Sequence, residues 1–364
     1  MRAMRKSASI KKHSAGPIGA DVRQWRSARA RKVLPVMLGL VLLAGCQREP
    51  VEYRFEGNTM GTYYLVHAFC DYSQPGLQAR VDALLEDVND QMSTYREQSV
   101  LSRLNRAPIG TWFDITPELA EVLQVSQTLA EQSDGAFDIT VGPVVNLWGF
   151  GPDGQRDAPP SDSEIERALE RVGYQSLEVR AAPPAARRHQ DIYVDLSGIA
   201  KGYGVDAVFE LLAASSCEAA LVDIGGDLRV GAERPDGRGW RIGIEVPEPD
   251  TRDAAHRVIE LTDKALVTSG DYRNFLEHDG QRLSHTMDPR TGRPVTHQVA
   301  SITTIHRSAT WADGYATLFG VLAPDDALAL ADEQSVPVFM LVQDDNDGIV
   351  ERYAGGFDAW LDAD

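Results

Sequence analysis

Apolar residues at Leu77, Val81, Leu84, Leu85, Val88 and Met92 fall three and four apart, the spacing that puts side chains on one face of a helix. A second helix is predicted from Thr116-Pro117-Glu118, which supplies a cap, a proline at the first position and an acid in the first turn, to about Ser133. A third follows the capping box Ser161…Glu164 and stops at Gly173. Two more are expected, one from about Ala200 to Ala214 and one around Ala309–Leu322. The strand pattern is equally distinct. TYYLVHAF (Thr62–Phe69) is rich in aromatic and β-branched residues, IYVDL (Ile192–Leu196) alternates, and ALVDIGGDLRV (Ala220–Val230) reads as two strands broken at Gly225-Gly226. WRIGIEV, HRVIEL and VASITTIH are further strands, and PVFMLV (Pro337–Val342) is the last. GPDGQRDAPPSD (Gly151–Asp162) and AAPPAARRHQ (Ala181–Gln190) read as loops from their Pro and Gly content. Strands and helices mix without a strict βαβ rhythm, so the expected class is α+β, with mixed sheets and packed helices. No linker interrupts residues 57–364, which are read as one domain.

Charge divides the chain in two. Over 364 residues the formal net charge is −18, yet residues 1–45 carry ten Lys/Arg and one Asp, leaving −27 for the rest. A surface that acidic argues against nucleic-acid binding, which needs cations to displace counterions. The basic leader ends at Arg31-Lys32 and is followed by thirteen residues, VLPVMLGLVLLAG. That run is too short to span a bilayer and suits the apolar region of a signal peptide. LAGC then ends on Cys46, resembling a bacterial lipobox in which the cysteine is lipidated and becomes the mature N-terminus; a signal peptide cut at Ala-Gly with a free Cys46 is the alternative. The expected division is a lipoprotein signal peptide over 1–45, a lipid-anchored tether over 46–56 and the domain over 57–364, facing the periplasm from the inner or outer membrane. Cys70 and Cys217 either pair, as an exported compartment permits, or are separately buried as small apolar residues.

The polar chemistry concentrates in short glycine-containing segments. In DLSGIAKGYGVD (Asp195–Asp206) a strand is predicted to pass through a glycine turn into a helix, a junction that aims backbone N–H groups at an anion. Lys201 at that helix start works against the helix dipole, so a negative ligand would account for it; a plain surface lysine is the alternative. In WADGYAT, Asp313 and Thr317 stand four apart and share a helix face. Such oxygens suit Mg²⁺, or Asp313 caps its helix while Thr317 bonds to its own backbone. In LSHTMDPRTGRP (Leu283–Pro294) His285 precedes an Asp-Pro turn; it is either a proton acceptor for a hydroxyl nucleophile or a partly buried histidine bonded to its neighbours. There is no G-x-S-x-G, no H-E-x-x-H and no G-x-G-x-x-G after a strand, which argues against a serine hydrolase elbow, a zinc protease and a Rossmann site.

Seven strings in order, MGTYY, DGAFDITVGPVVNLWGFG, VDLSGIAKGYGVD, DIGGDLRV, TSGDYRNF, HTMDPRTGRPV and ADGYAT, together resemble the ApbE family of FAD:protein FMN transferases. The resemblance implies a T-fold-like, two-lobed α+β architecture with FAD in the central cleft. It implies Mg²⁺-dependent transfer of FMN from FAD to a threonine or serine hydroxyl, with release of AMP. The acceptors it implies are exported flavoproteins or flavoprotein subunits of membrane redox complexes. Position by position, it places metal ligands at Asp313, Thr317 and the backbone oxygen of Gly198, and the base at His285. FAD contacts fall on or beside Met60, Tyr95, Ala136, Phe137, Asp138, Lys201 and Thr286. Thr286 and Met287 stand where the family often has two aliphatic residues. The glycines at Gly225 and Gly226 are expected to let backbone approach the ligand. An FAD pyrophosphatase and a non-catalytic flavin-binding lipoprotein are the competing functions.

Overall fold

The computed structural model describes residues 49–151, 154, 156, 158–245, 255–270, 275–278, 281–344 and 348–361. Cys46, the leader before it, and residues 271–274 of the TSGDYRNF segment lie outside them. An eight-stranded sheet carries the domain. Its strands are β1 (Val51–Thr59), β2 (Thr62–Cys70), β3 (Ala219–Ile224), β4 (Asp227–Val230), β5 (Lys264–Gly270), β6 (Val299–His306), β7 (Val338–Gln343) and β8 (Ile349–Ala354). Their spatial order is their chain order, and each pair of neighbours is antiparallel. The sheet is therefore a meander whose connections hold everything else.

Alternation explains the faces. In β2, Tyr64, Val66, Ala68 and Cys70 are buried while Tyr63 and Leu65 face solvent. The buried set packs with helices α1 (Leu77–Met92), α6 (Ala200–Ala214) and α7 (Ala309–Val321). The opposite face, with Leu228, Val230, Leu266, Ile305 and Phe339, is covered by the hairpin Trp240–Glu245/Ala255–Leu261. A second lobe joins α2 (Val100–Arg106), α3 (Pro117–Gln132) and a small sheet of Phe113–Asp114, Leu177–Ala181 and Pro184–Arg188 to the far side of α7. The short helices α4 (Gly142–Leu147) and α5 (Asp162–Leu169) form a satellite cluster with Met287, and α8 (Pro324–Gln334) follows α7.

The predicted caps form. Thr116 Oγ1 accepts from Leu119 N at 3.1 Å with Pro117 in the first turn, and Ser161 and Glu164 make a complete capping box. Cys70 and Cys217 are joined as a disulfide that ties the end of β2 to the segment between α6 and β3.

Several sequence expectations need correction. IYVDL is not a strand: its one bridge runs from Tyr193 to Val141, and Asn105 occupies Val194 N and O with two 2.8 Å hydrogen bonds. Its alternation was a true signal of burial at Ile192, Val194 and Leu196, but a side chain stands where a ladder partner would. Within AAPPAARRHQ, Pro184–Arg188 is a strand; Pro184 sits at its first residue, where no ladder donor is required, and Ala185 and Ala186 are buried. Residues 51–56, assigned to a tether, begin β1. PVFMLV is followed by β8 and is not the last strand, and α5 stops a turn before Gly173.

Candidate functional site

Helices α6 and α7 meet on glycines. A Cβ at Gly202 would lie 2.2 Å from Ala309 O and 2.7 Å from Asp313 Cβ; one at Gly198 would lie 2.9 Å from Thr317 Cγ2. With hydrogen there instead, backbone and side chain bond directly. Gly202 N donates to Asp313 Oδ2 at 2.9 Å, and Thr317 Oγ1 donates to Gly198 O at 3.0 Å. Asp313 thus caps α6, which has no side-chain cap of its own, while Ser308 caps α7. Thr317 turns to Gly198 and not to its own helix. Three oxygens that the family resemblance implies as metal ligands are gathered in one corner: the Gly198 carbonyl, the Thr317 hydroxyl and the buried Asp313 carboxylate.

Lys201 stands over the same corner. Its ammonium bonds Asp227 of β4 and lies 3.7 Å from Asp313 Oδ1. Burial alone would depress Lys201; the Asp227 and Asp313 carboxylates outweigh it and hold the ammonium above its ordinary range. Burial pushes Asp227 up to about 7 against the pull of Lys201, with Asp313 adding repulsion. The negative charge that balances Lys201 against the helix dipole is therefore already inside the protein.

Lys201 also lines a cleft of about 980 Å³, within the size range of ligand pockets. Its walls are the β1–β2 turn, the end of α1, residues 93–96 and the loop from Asp195 to Lys201. The turn has both central residues in the left-handed region, Met60 at φ 48° and Gly61 at φ 74°. Two-residue hairpins favour that geometry, but it is uncommon for a side chain such as methionine. It directs the Met60 thioether to α6, where Cε would lie 2.9 Å from a Cβ on Gly204. Tyr95 stands at the rim, 69% exposed, its phenol pushed up by partial burial and by Asp195. Arg96 beside it is held by Glu86 at 2.7 Å and Asp90 at 2.6 Å. Asp195 shapes the floor, accepting from Ser197 N at 2.9 Å and Ser197 Oγ at 2.5 Å.

The structure thus brings Met60, Tyr95 and Lys201 to one cleft; Gly198, Asp313 and Thr317 do not line it and adjoin it through Lys201. Ala136, Phe137 and Asp138 lie behind it. All three are buried, and Asp138 is occupied by Thr140 N and Oγ1 at 2.7 Å and Tyr174 N at 2.9 Å. Burial raises Asp138 while those bonds draw it back. The segment supports the cleft floor through Asp195 N, which donates to Ile139 O at 2.7 Å. His285 is half-buried at the exit of the hairpin Phe275–His278/Gln281–Ser284, its ring edge-on to Phe150 at 6.3 Å. Thr286 reaches α7: its Cγ2 would lie 3.9 Å from a Cβ at Gly320. Asp313, Thr317 and Gly320 follow the same helical stripe, so one helix carries both the oxygen corner and the contact beside His285. Gly225 serves hairpin packing, since a Cβ there would meet Thr62 Cγ2 at 2.8 Å; Gly226 has open space around it.

Sequence reasoning assigned no role to Asp195, Asp227 or the Glu86–Asp90–Arg96 group at the rim. For Asp227 the available signal was Lys201 itself, a helix-start cation in need of a carboxylate. Among the described residues no three of His, Cys, Asp and Glu converge, because the corner draws on a carbonyl and a hydroxyl beside its carboxylate.

The ApbE family profile matches residues 60–340. The chain is 40% identical over 337 residues to an FAD:protein FMN transferase of Vibrio cholerae serotype O1, covering 91% of this chain and 99% of that one. It is 36% identical over 323 residues to the Haemophilus influenzae protein of the same name, covering 86% and 93%. Among solved structures, the flavin transferase ApbE from Vibrio cholerae superposes with a TM-score of 0.77 at 39% identity, over 86% of this chain and all of that one. The apo form of Pseudomonas stutzeri flavinyl transferase ApbE gives 0.79 at 36% identity, over 87% and 99%.

Proposed function

The chain belongs to the ApbE family, and from that membership we propose that it transfers FMN from FAD to a threonine or serine hydroxyl of an exported or membrane redox flavoprotein, releasing AMP. The observation that carries the proposal is the convergence of Gly198 O, Asp313 and Thr317 beside Lys201, which lines a cleft together with Met60 and Tyr95. An all-oxygen set with a single carboxylate fits Mg²⁺, a hard cation that shares its shell with water and substrate phosphate. Asp313 Oδ2 is committed to Gly202 N, which leaves Oδ1, now facing Lys201, as the oxygen to offer. A Mg²⁺ held there would supply positive charge beside the substrate's pyrophosphate.

The protein's own groups account for the rest. Lys201 adds a fixed positive charge at the pyrophosphate, and Asp227 keeps that ammonium in place. The cleft binds the dinucleotide, with Met60 and Tyr95 as apolar contacts. The acceptor hydroxyl oxygen attacks the phosphorus bearing the riboflavin half. His285 takes the hydroxyl proton, the bond from that phosphorus to the bridging oxygen breaks, and AMP leaves with the electron pair. Ala136, Phe137, Asp138 and Thr286 support the two walls.

The leader and Cys46 fit a lipoprotein of the bacterial envelope facing the periplasm, and the Cys70–Cys217 disulfide favours an oxidising compartment. The deciding experiment incubates the protein with FAD, MgCl₂ and a candidate acceptor, then reads intact mass and AMP. One FMN on the acceptor per AMP released is expected. Free FMN and AMP without an adduct would make the protein a pyrophosphatase, and FAD retained without AMP a flavin carrier.

A further inference from the structure

The contacts between α6 and α7 repeat every four residues in opposite directions. Gly198 meets Thr317, Gly202 meets Asp313, and Asp206 meets the start of α7 at Ser308–Thr310. Each step is four residues on both sides, about one helical turn along α7 and within α6, with Gly198 in the turn that leads into α6, so the three contacts are rungs of one ladder. The first two rungs hold the oxygens of the candidate metal corner. The third holds no ligand group, yet it is the most heavily bonded. Asp206 accepts from Ser308 Oγ at 2.6 Å, Ala309 N at 2.9 Å, Thr310 N at 2.9 Å and Thr310 Oγ1 at 2.8 Å. Arg229 of β4 donates to it at 2.8 Å and is held in turn by Glu210 at 3.0 Å.

A helix cap alone does not need this arrangement. α7 already has one, since Ser308 Oγ accepts from Trp311 N. A carboxylate supplied by a different helix does something more: it fixes where α7 begins relative to α6. A slip of one turn would carry Asp313 and Thr317 about 5.4 Å from Gly202 and Gly198. We propose that Asp206 is the positioning residue of the corner, setting the register of α7 on α6 so that Gly198 O, Asp313 and Thr317 face one cation. The proposal rests on the metal reading given above.

The test compares Asp206→Asn, Thr310→Val and Asp206→Glu with the parent and with Asp313→Ala. MgCl₂ is titrated calorimetrically into each protein premixed with FAD and no acceptor; FAD binding is measured separately in EDTA by flavin fluorescence, and stability by thermal unfolding. Asp206→Asn should weaken Mg²⁺ binding about tenfold, equivalent to about 1.4 kcal/mol, while FAD binding in EDTA stays within about twofold. Thr310→Val, isosteric and lacking one donor, should weaken Mg²⁺ binding about two- to threefold; it carries the test if Asp206→Asn does not fold. Asp206→Glu should recover part of the loss. A lower melting temperature with unchanged Mg²⁺ affinity in both Asp206→Asn and Thr310→Val overturns the proposal and leaves Asp206 a plain cap. If Asp313→Ala itself keeps parental Mg²⁺ affinity, it is the metal reading that fails.

Discussion

The oxygen corner and the His285 turn are built in opposite ways. The corner draws Gly198 and Lys201 from the start of α6, Asp227 from β4, and Asp313 and Thr317 from α7; its two backbone contacts span 111 and 119 residues of sequence. The His285 turn makes many of its hydrogen bonds to near neighbours in sequence. Asp288 accepts from Arg290 N at 2.9 Å and Gly292 N donates to Asp288 O at 2.8 Å, while Thr286 N donates to Ser284 Oγ at 2.9 Å. Trp148 Nε1, bonded to Gly292 O at 2.9 Å, anchors it from a distance, as does Asp162 through Arg293. The difference follows from electrostatics. Two carboxylates and an ammonium withdrawn from water need partners from every side.

If the corner carries the charge stabilisation, removing its carboxylate should have the largest effect. Asp313→Ala deprives the cation of its one protein carboxylate, Gly202 N of its acceptor and Lys201 of a partner. AMP release should fall on the order of 10³-fold and should not recover with excess MgCl₂. Activity within tenfold of the parent would remove the corner from the mechanism. His285→Ala should cost roughly 10²–10⁴ in transfer rate while FAD affinity holds. Parallel losses in rate and affinity would turn the His285 side into a binding wall and erase the contrast between the regions.

The same contrast explains what the sequence disclosed. The His285 turn, the capping box at Ser161 and the cap at Thr116 are local, and each could be read from a few adjacent residues. Asp313 and Thr317 showed their shared face through i, i+4 spacing, but whether they faced a cation or their own helix depended on α6, more than 100 residues earlier. Asp195 and Asp227 carried no role until folding put them beside the cleft and Lys201. β1 was missed because VEYRFEGN mixes charges into an edge strand whose inner face, Tyr53 and Phe55, is only half-buried, the composition of a solvated segment. The alternation in IYVDL registered burial correctly and the ladder wrongly, since periodicity reports which side is dry and not what stands beside the backbone.

A smaller effect is expected from the disulfide, which lies at the far end of β2 and α6 from the cleft. Replacing Cys70 and Cys217 together by serine opens a link between residues 147 apart and should lower stability by about 2–5 kcal/mol in denaturant titrations. The flavin-transfer rate of the protein that remains folded should hold. A loss of rate exceeding the loss of folded protein would show that the distant staple also tensions the cleft.

The smallest effect belongs to α5, which backs the His285 turn: a Cβ on Gly292 would lie 2.7 Å from Ile165 Cγ2, and Arg293 bonds Asp162 at 2.5 Å. Its capping box depends on an ionised Glu164. Hydrogen bonds from Ser161 N and Oγ, with help from Arg156, draw Glu164 from its ordinary 4.5 down to about 2. A carboxyl depressed by folding favours the native state fully above its unfolded value, and that contribution is lost as pH falls through the folded one. The parent should therefore shed this part of its stability between about pH 4.5 and 2, and Glu164→Gln should lack that slope. Hydrogen exchange read region by region then separates the two constructions. Amides of α5 and of the 286–292 turn should lose protection first in that window, while α7 around Asp313 keeps its own. Simultaneous loss in both would mean that the turn is tied into the core more tightly than its local bonds suggest.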